Sequence, residues 1–74
     1  MSSIFMKIFS ERLIQLRSEK KISQTTVAQA AGIVLRTYQR YENNERLPEI
    51  DVACKLADFF DVSLDYLCGR SEGK

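Results

Sequence analysis

Two arginines in the middle of the chain have the spacing of neighbours on a helix. Arg36 and Arg40 stand about one helical turn apart, so both guanidinium groups lie on one face and can enter a groove together. A guanidinium donates two parallel hydrogen bonds, which matches the O6 and N7 acceptors on the major-groove edge of guanine. By residue type and spacing the pair is suited to contact guanine, and its assignment to DNA depends on the helices that position it. The alternative for Arg40 is that it binds only a phosphate.

The chain offers little for catalysis or metal binding. It has no histidine and two cysteines, Cys54 and Cys68, which do not form a C-x-x-C pair. These cannot complete a structural zinc site, and we interpret them as structural thiols. Any catalysis would depend on carboxylates, lysines or a lone thiol, and no glycine-rich phosphate loop is present. We therefore expect no enzyme, no metal and no cofactor.

Length and composition favour one small helical domain. The chain has 74 residues, 45% of them hydrophobic, which is enough for one modest core. Its three glycines and one proline are too few for the turns of a sandwich or barrel. No apolar run reaches the ~20 residues of a membrane span, and the first residues lack the apolar stretch and cleavage site of a secretory signal. We expect an all-α protein that stays in the cytoplasm.

Charge is divided unevenly along the chain. Residues 1–47 hold eight Lys/Arg against four Asp/Glu, a net +4, whereas residues 48–74 hold three against six, a net −3; together they give the overall +1. This asymmetry indicates a basic face that meets a polyanion and an acidic end kept away from it. Lysines and arginines that are merely solvated are the alternative.

Two helices are predicted in the first half of the chain. Residues 1–7 have no clear period, and we expect a disordered extension there. Apolar residues at helical spacing predict a helix from Ile8 to Lys20. Ser23 is suited to cap a second helix from Gln24 to Ala31, which Gly32 then ends in the left-handed conformation.

Three more helices are predicted in the second half. One spans about Leu35 to Asn43, and another spans about Glu49 to Phe60. The core face of the latter is predicted to comprise Ile50, Ala53, Leu56, Ala57 and Phe60. Ser63 caps a short final helix that Gly69 ends, and residues 70–74 are expected to be a flexible tail. Short links between five helices predict a compact bundle.

The segment from Gln24 to Tyr41 has the pattern of two helices joined by a tight turn. Such a turn needs a small residue where the helices cross, a residue with positive φ at the corner, and apolar anchors on both inner faces. The residues that meet these needs are Val27, Ala28, Ala31, Gly32, Ile33, Tyr38 and Tyr41. An ordinary helical hairpin that happens to fit is the alternative.

With the segments "SQTTVAQAAGI", "TYQRYENNERLP" and "LADFFDVSLDYLCGR", residues 9–69 resemble the Cro and phage-repressor helix-turn-helix family, also called the xenobiotic-response-element type. The resemblance implies a five-helix, lambda-repressor-like domain over residues 8–69. It also implies that the third helix lies in the major groove while the start of the second meets the DNA backbone. The expected function is that of a transcriptional regulator, in particular a repressor, which binds a double-stranded DNA operator.

The resemblance also implies roles for individual residues. The residues at base-facing positions are Val34, Leu35, Arg36 and Arg40. Thr37 and Gln39 are expected at a base or a phosphate. The residues expected at phosphates are Gln24, which also buttresses the helix, and Asn43, Asn44 and Arg46, for which solvated loop residues are the alternative. The residues with structural roles are Ala28 and Gly32 in the turn and the partly buried ion pair of Arg17 and Glu42.

The chain departs from the family pattern in two places. Val34 and Leu35 stand where polar residues are common, and the loss of a hydroxyl cap costs ~1 kcal/mol. Contact with thymine methyl groups would explain the apolar pair, and packing against the second helix is the alternative. Asn44 stands where the family often has glycine, which leaves the course of the next loop open.

A homodimer is expected, because one recognition helix reads only a few base pairs. The apolar or aromatic residues left over in the acidic part form the predicted dimer surface, namely Phe59, Leu64, Tyr66 and Cys68. Partial burial in the core is the alternative for each, and above all for Leu64. A different class of function is a protein-interaction module that keeps this fold without binding DNA, although the basic first part and the two arginines argue against it.

Overall fold

The computed structural model describes residues 4–74 and contains five α-helices over that range. They are α1 (Ile4–Lys20), α2 (Gln24–Ala31), α3 (Leu35–Glu42), α4 (Ile50–Phe60) and α5 (Leu64–Cys68). None of the described residues forms a β-strand. The predicted all-α, five-helix architecture is confirmed.

Capping residues set the ends of the helices as the sequence indicates. Ser23 Oγ accepts a hydrogen bond from the backbone N–H of Thr26 at 3.1 Å, and Ser63 Oγ accepts one from Tyr66 at 3.0 Å. Each bond satisfies a donor that the first turn of a helix leaves without a partner. At the other end of α2, Gly32 takes the left-handed conformation with φ of 70°. These predictions are confirmed.

The start of α1 differs from the prediction. We expected disorder over residues 1–7, but the helix already begins at Ile4, so the prediction is wrong for residues 4–7. Residues 1–3 lie outside the described residues. Phe9 is buried and anchors this end of the helix. Once the first helical turn has formed, each further residue that is fixed gains one hydrogen bond, so the helix extends towards the N-terminus.

One core holds the helices together, with α1 packed on α3 and α5, and α2 packed on α3 and α4. The buried side chains in this core are Phe9, Leu13, Leu16, Val27, Ala28, Ala31, Tyr38, Tyr41, Leu56, Ala57, Phe60, Tyr66 and Leu67. Tyr41 makes edge-to-face contacts with Phe9 and Tyr38, at centroid distances of 6.3 and 6.4 Å. The inner face of α3 is therefore fixed by aromatic packing, and its other face is left for solvent.

The C-terminal residues fold back on the helices. Arg12 donates a hydrogen bond to the carbonyl of Ser71 at 2.8 Å, and Lys74 Nζ lies 3.1 Å from a carboxylate oxygen of Glu19. The backbone N–H of Ser63 also donates to the carbonyl of Lys74 at 2.8 Å. The predicted flexible tail at residues 70–74 is therefore corrected to a segment in contact with α1 and with the cap of α5.

Candidate nucleic-acid interface

The turn between α2 and α3 has the geometry that the sequence pattern predicts. The backbone N–H of Ile33 donates to the carbonyl of Ala28 at 3.0 Å, which closes the end of α2 around the left-handed Gly32. Ala28 is buried where the two helices meet. A larger side chain there would hold the helices apart. Ala28 and Gly32 thus lie where the predicted roles require them.

The exposed face of α3 brings together several of the predicted site residues. Arg36, Gln39, Arg40, Asn43 and Glu45 line a polar hollow of about 150 Å³. Tyr38 and Tyr41 occupy the opposite face and are buried. Because helix neighbours stand three or four positions apart, Arg36, Gln39 and Arg40 form one row of hydrogen-bonding side chains. Thr37 stands beside this row and is half-buried.

The first residues of α3 present apolar side chains to solvent. Val34 is the N-cap and makes no side-chain cap hydrogen bond, as its type predicts. It is 68% exposed, which is too open for the alternative of packing against α2. Leu35 is also exposed. Both side chains are therefore available to an apolar group on a ligand.

A partly buried ion pair joins α1 to the end of α3. Arg17 Nε lies 2.7 Å from Glu42 Oε2, and Nη2 donates to Oε1 at 3.1 Å. Arg17 also donates to the carbonyl of Ile22 at 3.2 Å, which fixes the link after α1. The structure contains the predicted contact. It holds the orientation of α3 relative to the rest of the domain.

Glu42 is the centre of a wider network. Its carboxylate also accepts hydrogen bonds from the Tyr38 hydroxyl and from Gln24 Nε2. Burial raises the pKa of Glu42, but the hydrogen bonds from Arg17, Tyr38 and Gln24 outweigh burial and lower it below the ordinary value. Burial and the bond to Glu42 raise the pKa of Tyr38. Glu42 is thus an ionised acceptor inside the protein.

Gln24 links this network to the exposed face of α3. Its Oε1 accepts a hydrogen bond from Gln39 Nε2 at 3.2 Å. Sequence reasoning missed this contact, because the two residues lie in different helices and no local pattern pairs them. The phosphate contact predicted for Gln24 stays a prediction.

The loop after α3 places three predicted phosphate residues side by side. Asn43 is the C-cap of α3, and Asn44 takes the left-handed conformation with φ of 62° that glycine would otherwise supply. Asn44 Oδ1 is buried without a hydrogen-bond partner among residues 4–74. Asn43 and Arg46 are exposed. Their contact with phosphate remains a prediction.

The four residues predicted for the dimer surface do not all lie on one exposed surface. Tyr66 is 6% exposed and belongs to the core, where the Arg12 guanidinium lies 4.1 Å from its ring centroid, so its assignment to an exposed surface is wrong. Phe59 is half-buried and packs on Phe60. Leu64 and Cys68, in contrast, line one apolar groove.

That groove, which we call the α4–α5 groove, has a volume of about 250 Å³. The residues that line it are Phe9, Leu47, Pro48, Ile50, Ala53, Leu64 and Cys68. Ile50 is 68% exposed, so its predicted place in the core face of α4 is wrong. It stands at the start of α4, where no other helix of the described residues covers it. Leu47 and Ile50 are functional candidates that the sequence did not single out.

Two further properties concern the described residues as a whole. No helix within residues 4–74 is long and apolar enough to cross a membrane. In the same part of the chain, no group of three or more His, Cys, Asp or Glu side chains could hold a metal ion.

Two solved structures have the same arrangement of helices. The restriction-modification controller protein C.AhdI from Aeromonas hydrophila matches with a TM-score of 0.77 at 29% identity, over 84% of this chain and 94% of that one. The SOS-response transcriptional repressor LexA from Eubacterium rectale matches with a TM-score of 0.86 at 22% identity, over 92% of this chain and 72% of that one. At that identity the likeness to LexA concerns the fold alone.

Sequence comparison gives closer relatives. The cryptic phage CTXphi transcriptional repressor RstR of Vibrio cholerae is 42% identical over 65 residues, which cover 88% of this chain and 57% of that protein. The HTH-type transcriptional regulator AnsR of Bacillus subtilis is 39% identical over 64 residues, which cover 86% of this chain and 55% of that protein. The chain thus spans just over half the length of these relatives. The sequence model of the helix-turn-helix family matches residues 13–67. The chain belongs to the helix-turn-helix family.

Proposed function

We propose that this chain is a sequence-specific, double-stranded DNA-binding transcriptional regulator that acts as a repressor in the cytoplasm. The observation that carries the proposal is the exposed face of α3, the helix that follows the turn at Gly32. There Arg36, Gln39 and Arg40 line one polar hollow. Relatives that are named transcriptional repressors and regulators support it. Nothing in this function requires catalysis.

In this function α3 enters the major groove and its first residues meet base edges. Arg36 and Arg40 donate to guanine, because each can span the O6 and N7 acceptors. Val34 and Leu35 contact thymine methyl groups, because their exposed apolar side chains can pack against a methyl group. Together the four residues read sequence from one end of α3 to its middle. Thr37, beside them, contacts a base or a phosphate.

Phosphate contacts on both sides of α3 set its depth in the groove. Gln24 stands first in α2, where the helix dipole and free backbone N–H groups favour an anion. Asn43, Asn44 and Arg46 follow α3 and meet the backbone on its other side. The net +4 of residues 1–47, from eight Lys/Arg against four Asp/Glu, supports binding of this part to a polyanion.

We place the homodimer contact at the α4–α5 groove. Leu47 is 44% exposed and Ile50 is 68% exposed, and both line that groove beside Leu64 and Cys68. A monomer leaves this apolar surface in water, whereas a two-fold copy covers it on both partners. The groove starts shortly after α3 along the chain, so a contact there can relate two recognition helices to each other.

A protein-interaction module is the second candidate function. The exposed apolar side chains of Val34 and Leu35 favour it, since they would also suit a hydrophobic partner surface. The two candidates differ in their dependence on salt. Binding through phosphates releases counterions and weakens steeply as salt rises, and an apolar protein contact does not.

Selection of bound sequences from a random duplex pool tests the proposed function. We expect one enriched sequence that the full chain binds more tightly than scrambled duplexes of equal length, with affinity that falls as salt rises from ~50 to ~200 mM. A pool that shows no enrichment would contradict sequence-specific binding. Affinity for the enriched duplex that does not change over this salt range would contradict binding through the basic face.

A further inference from the structure

Two exposed apolar side chains stand at the start of α3. Val34, the N-cap, is 68% exposed, and Leu35, the first helical residue, is 38% exposed. Val34 makes no side-chain cap hydrogen bond, which a serine or threonine at the same place would supply. Arg36 comes next, is exposed and lines the polar hollow. The start of α3 therefore presents apolar surface to a ligand directly before a guanidinium group.

The chemistry of these two side chains limits what they can distinguish. The side chains of valine and leucine have no hydrogen-bond donor or acceptor. In the major groove, thymine presents the O4 acceptor and a methyl group at C5, whereas cytosine presents the N4 amino donor and a hydrogen at C5. An apolar side chain forms no hydrogen bond to O4 or to N4, so it gains only from contact with the methyl group. Val34 and Leu35 are therefore suited to a C5 methyl group and not to one particular base.

We propose that Val34 and Leu35 contact the pyrimidine C5 methyl group itself, so that this chain accepts 5-methylcytosine in place of thymine and responds to cytosine methylation. This inference rests on the proposed DNA-binding function. 5-Methylcytosine carries its methyl group at the same ring position as thymine, yet it pairs with guanine and keeps the N4 donor. Methylation of an operator cytosine at this place therefore strengthens binding without any change of base sequence.

The methyl-sensitive position is expected close to the guanine that Arg36 contacts. Consecutive Cα atoms are ~3.8 Å apart, and consecutive bases of one strand are ~3.4 Å apart along the duplex. Val34 and Leu35 directly precede Arg36 in the chain. The sensitive pyrimidine should therefore lie within about two base pairs of the guanine whose preference is relaxed in Arg36→Ala.

The size of the effect and its dependence on salt follow from the same chemistry. One methyl group removed from water corresponds to roughly a 3- to 10-fold change in affinity. Phosphate contacts are common to two duplexes that differ only in this group, so their contribution cancels in the ratio of the two affinities. The ratio should therefore stay constant as salt rises from ~50 to ~200 mM, while each affinity falls.

Binding of the full chain to chemically modified operators tests this inference. Each thymine of the duplex selected from the random pool is replaced in turn by uracil, which lacks only the methyl group. At a thymine where uracil weakens binding, the T·A pair is then replaced by C·G, with and without a methyl group at C5 of the cytosine. We expect the methyl group to strengthen binding roughly 3- to 10-fold in both comparisons.

Serine variants show which side chain makes the contact. Serine removes the apolar surface and is a favourable N-cap residue, so Val34→Ser should keep α3 folded. Val34→Ser and Leu35→Ser should each reduce the methyl effect at one position to roughly twofold or less. Ile14→Ser removes an exposed apolar side chain from α1 and should leave the methyl effect unchanged. Circular dichroism checks that the helices persist in each variant.

The outcomes distinguish this inference from the function on which it rests. A methyl effect in both comparisons that a serine variant removes supports the inference. Specific operator binding with no methyl effect at any thymine overturns it and leaves the proposed function intact. A preference for thymine over uracil without one for 5-methylcytosine over cytosine also overturns it, because recognition would then require the T·A pair.

Two further results would also count against the inference. A methyl effect that persists in both Val34→Ser and Leu35→Ser overturns the assignment to these side chains. Absence of any sequence preference in the parent overturns the proposed function, and the inference with it.

Discussion

Arg17 and Glu42 are joined by two parallel hydrogen bonds, from Nε to Oε2 at 2.7 Å and from Nη2 to Oε1 at 3.1 Å, which tie α1 to the last residue of α3. Arg17→Ala is expected to lower the free energy of unfolding by about 2–4 kcal/mol, because it leaves a buried carboxylate without its charge partner. Urea unfolding measures the change. Lys20→Ala, at an exposed position of the same helix, is the control. Equal effects of the two substitutions would contradict a structural role of the pair.

Glu42 is also expected to make the free energy of unfolding depend on pH in the acidic range. Burial raises its pKa, but the hydrogen bonds from Arg17, Tyr38 and Gln24 lower it below the ordinary 4.5. Such a group contributes stability that is present above the unfolded-state pKa and is lost as pH falls through the folded-state pKa. The difference in unfolding free energy between the parent and Glu42→Gln should therefore shrink below pH 4.5. A difference that stays constant down to about pH 2 would contradict the lowered pKa.

Alanine in place of Arg36 or Arg40 should weaken operator binding and leave the fold intact. Each side chain lines the hollow on the outer face of α3, away from the core. The expected loss is ~1–3 kcal/mol for each bidentate guanine contact, with relaxed base preference at one position. Arg70→Ala removes an exposed arginine after α5 and is the matched control. Unchanged sequence preference in both helix variants would refute the assignment.

Gly32→Val is expected to damage the fold at the corner between α2 and α3. Within residues 4–74, a Cβ there would meet only Lys55 Nζ, at 3.9 Å, so space is available, but φ is +70°. A β-branched residue is strained in that conformation by about 1–3 kcal/mol. The unfolding temperature and the affinity for DNA should both fall. Gly73→Val is the control, because φ of Gly73 is not positive. If Gly32→Val kept the unfolding temperature and the DNA affinity of the parent, the turn would not need glycine.

Ile50→Glu is expected to shift a dimer to monomers and to weaken operator binding without unfolding the domain. The substitution places a charge on an exposed apolar side chain of the α4–α5 groove. Sedimentation measures the mass of the protein in solution. Ile14→Glu changes another exposed isoleucine, on α1, and should keep the dimer. Tyr66, by contrast, is a poor choice for this test, because its replacement would open the core.

The spacing between the half-sites of the operator provides a second test of the dimer. Two recognition helices related by a two-fold axis should enter grooves ~34 Å apart, about one turn of DNA. Insertion of about five base pairs between half-sites should put them on opposite faces and abolish dimer binding. A parent protein that sediments as a monomer at high concentration and protects one half-site would contradict the dimer. The helix-turn-helix assignment would survive that result.

Local chemistry explains what could be predicted from the sequence. Ser23 and Ser63 cap helices with their own hydroxyl groups, and Gly32 ends one through its own backbone freedom. Each of these features depends only on residues a few positions apart in the chain, so it can be predicted from the sequence. The ion pair of Arg17 with Glu42 came from the family resemblance instead, since its partners lie 25 positions apart.

Tertiary contacts explain what could not be predicted. Tyr66 and Ile50 are both apolar in character, and the sequence assigned the first to the surface and the second to the core. Their burial is the reverse, because Arg12 of α1 lies over Tyr66 and no helix within residues 4–74 covers Ile50. The link between Gln24 and Gln39 likewise exists only after α2 and α3 are placed at their angle.

The close approach of Gly69 to Ile8 bears on how the domain forms during synthesis. A Cβ on Gly69 would lie 2.9 Å from Ile8 Cδ1, so the end of α5 rests directly on α1. The ribosome makes α5 after the other four helices described above, and the contact closes a loop that spans most of the domain. Until Leu64–Cys68 has emerged, one side of α1 stays open to chaperones and proteases. A nascent chain that lacks this helix therefore exposes a surface of α1 that the complete domain covers.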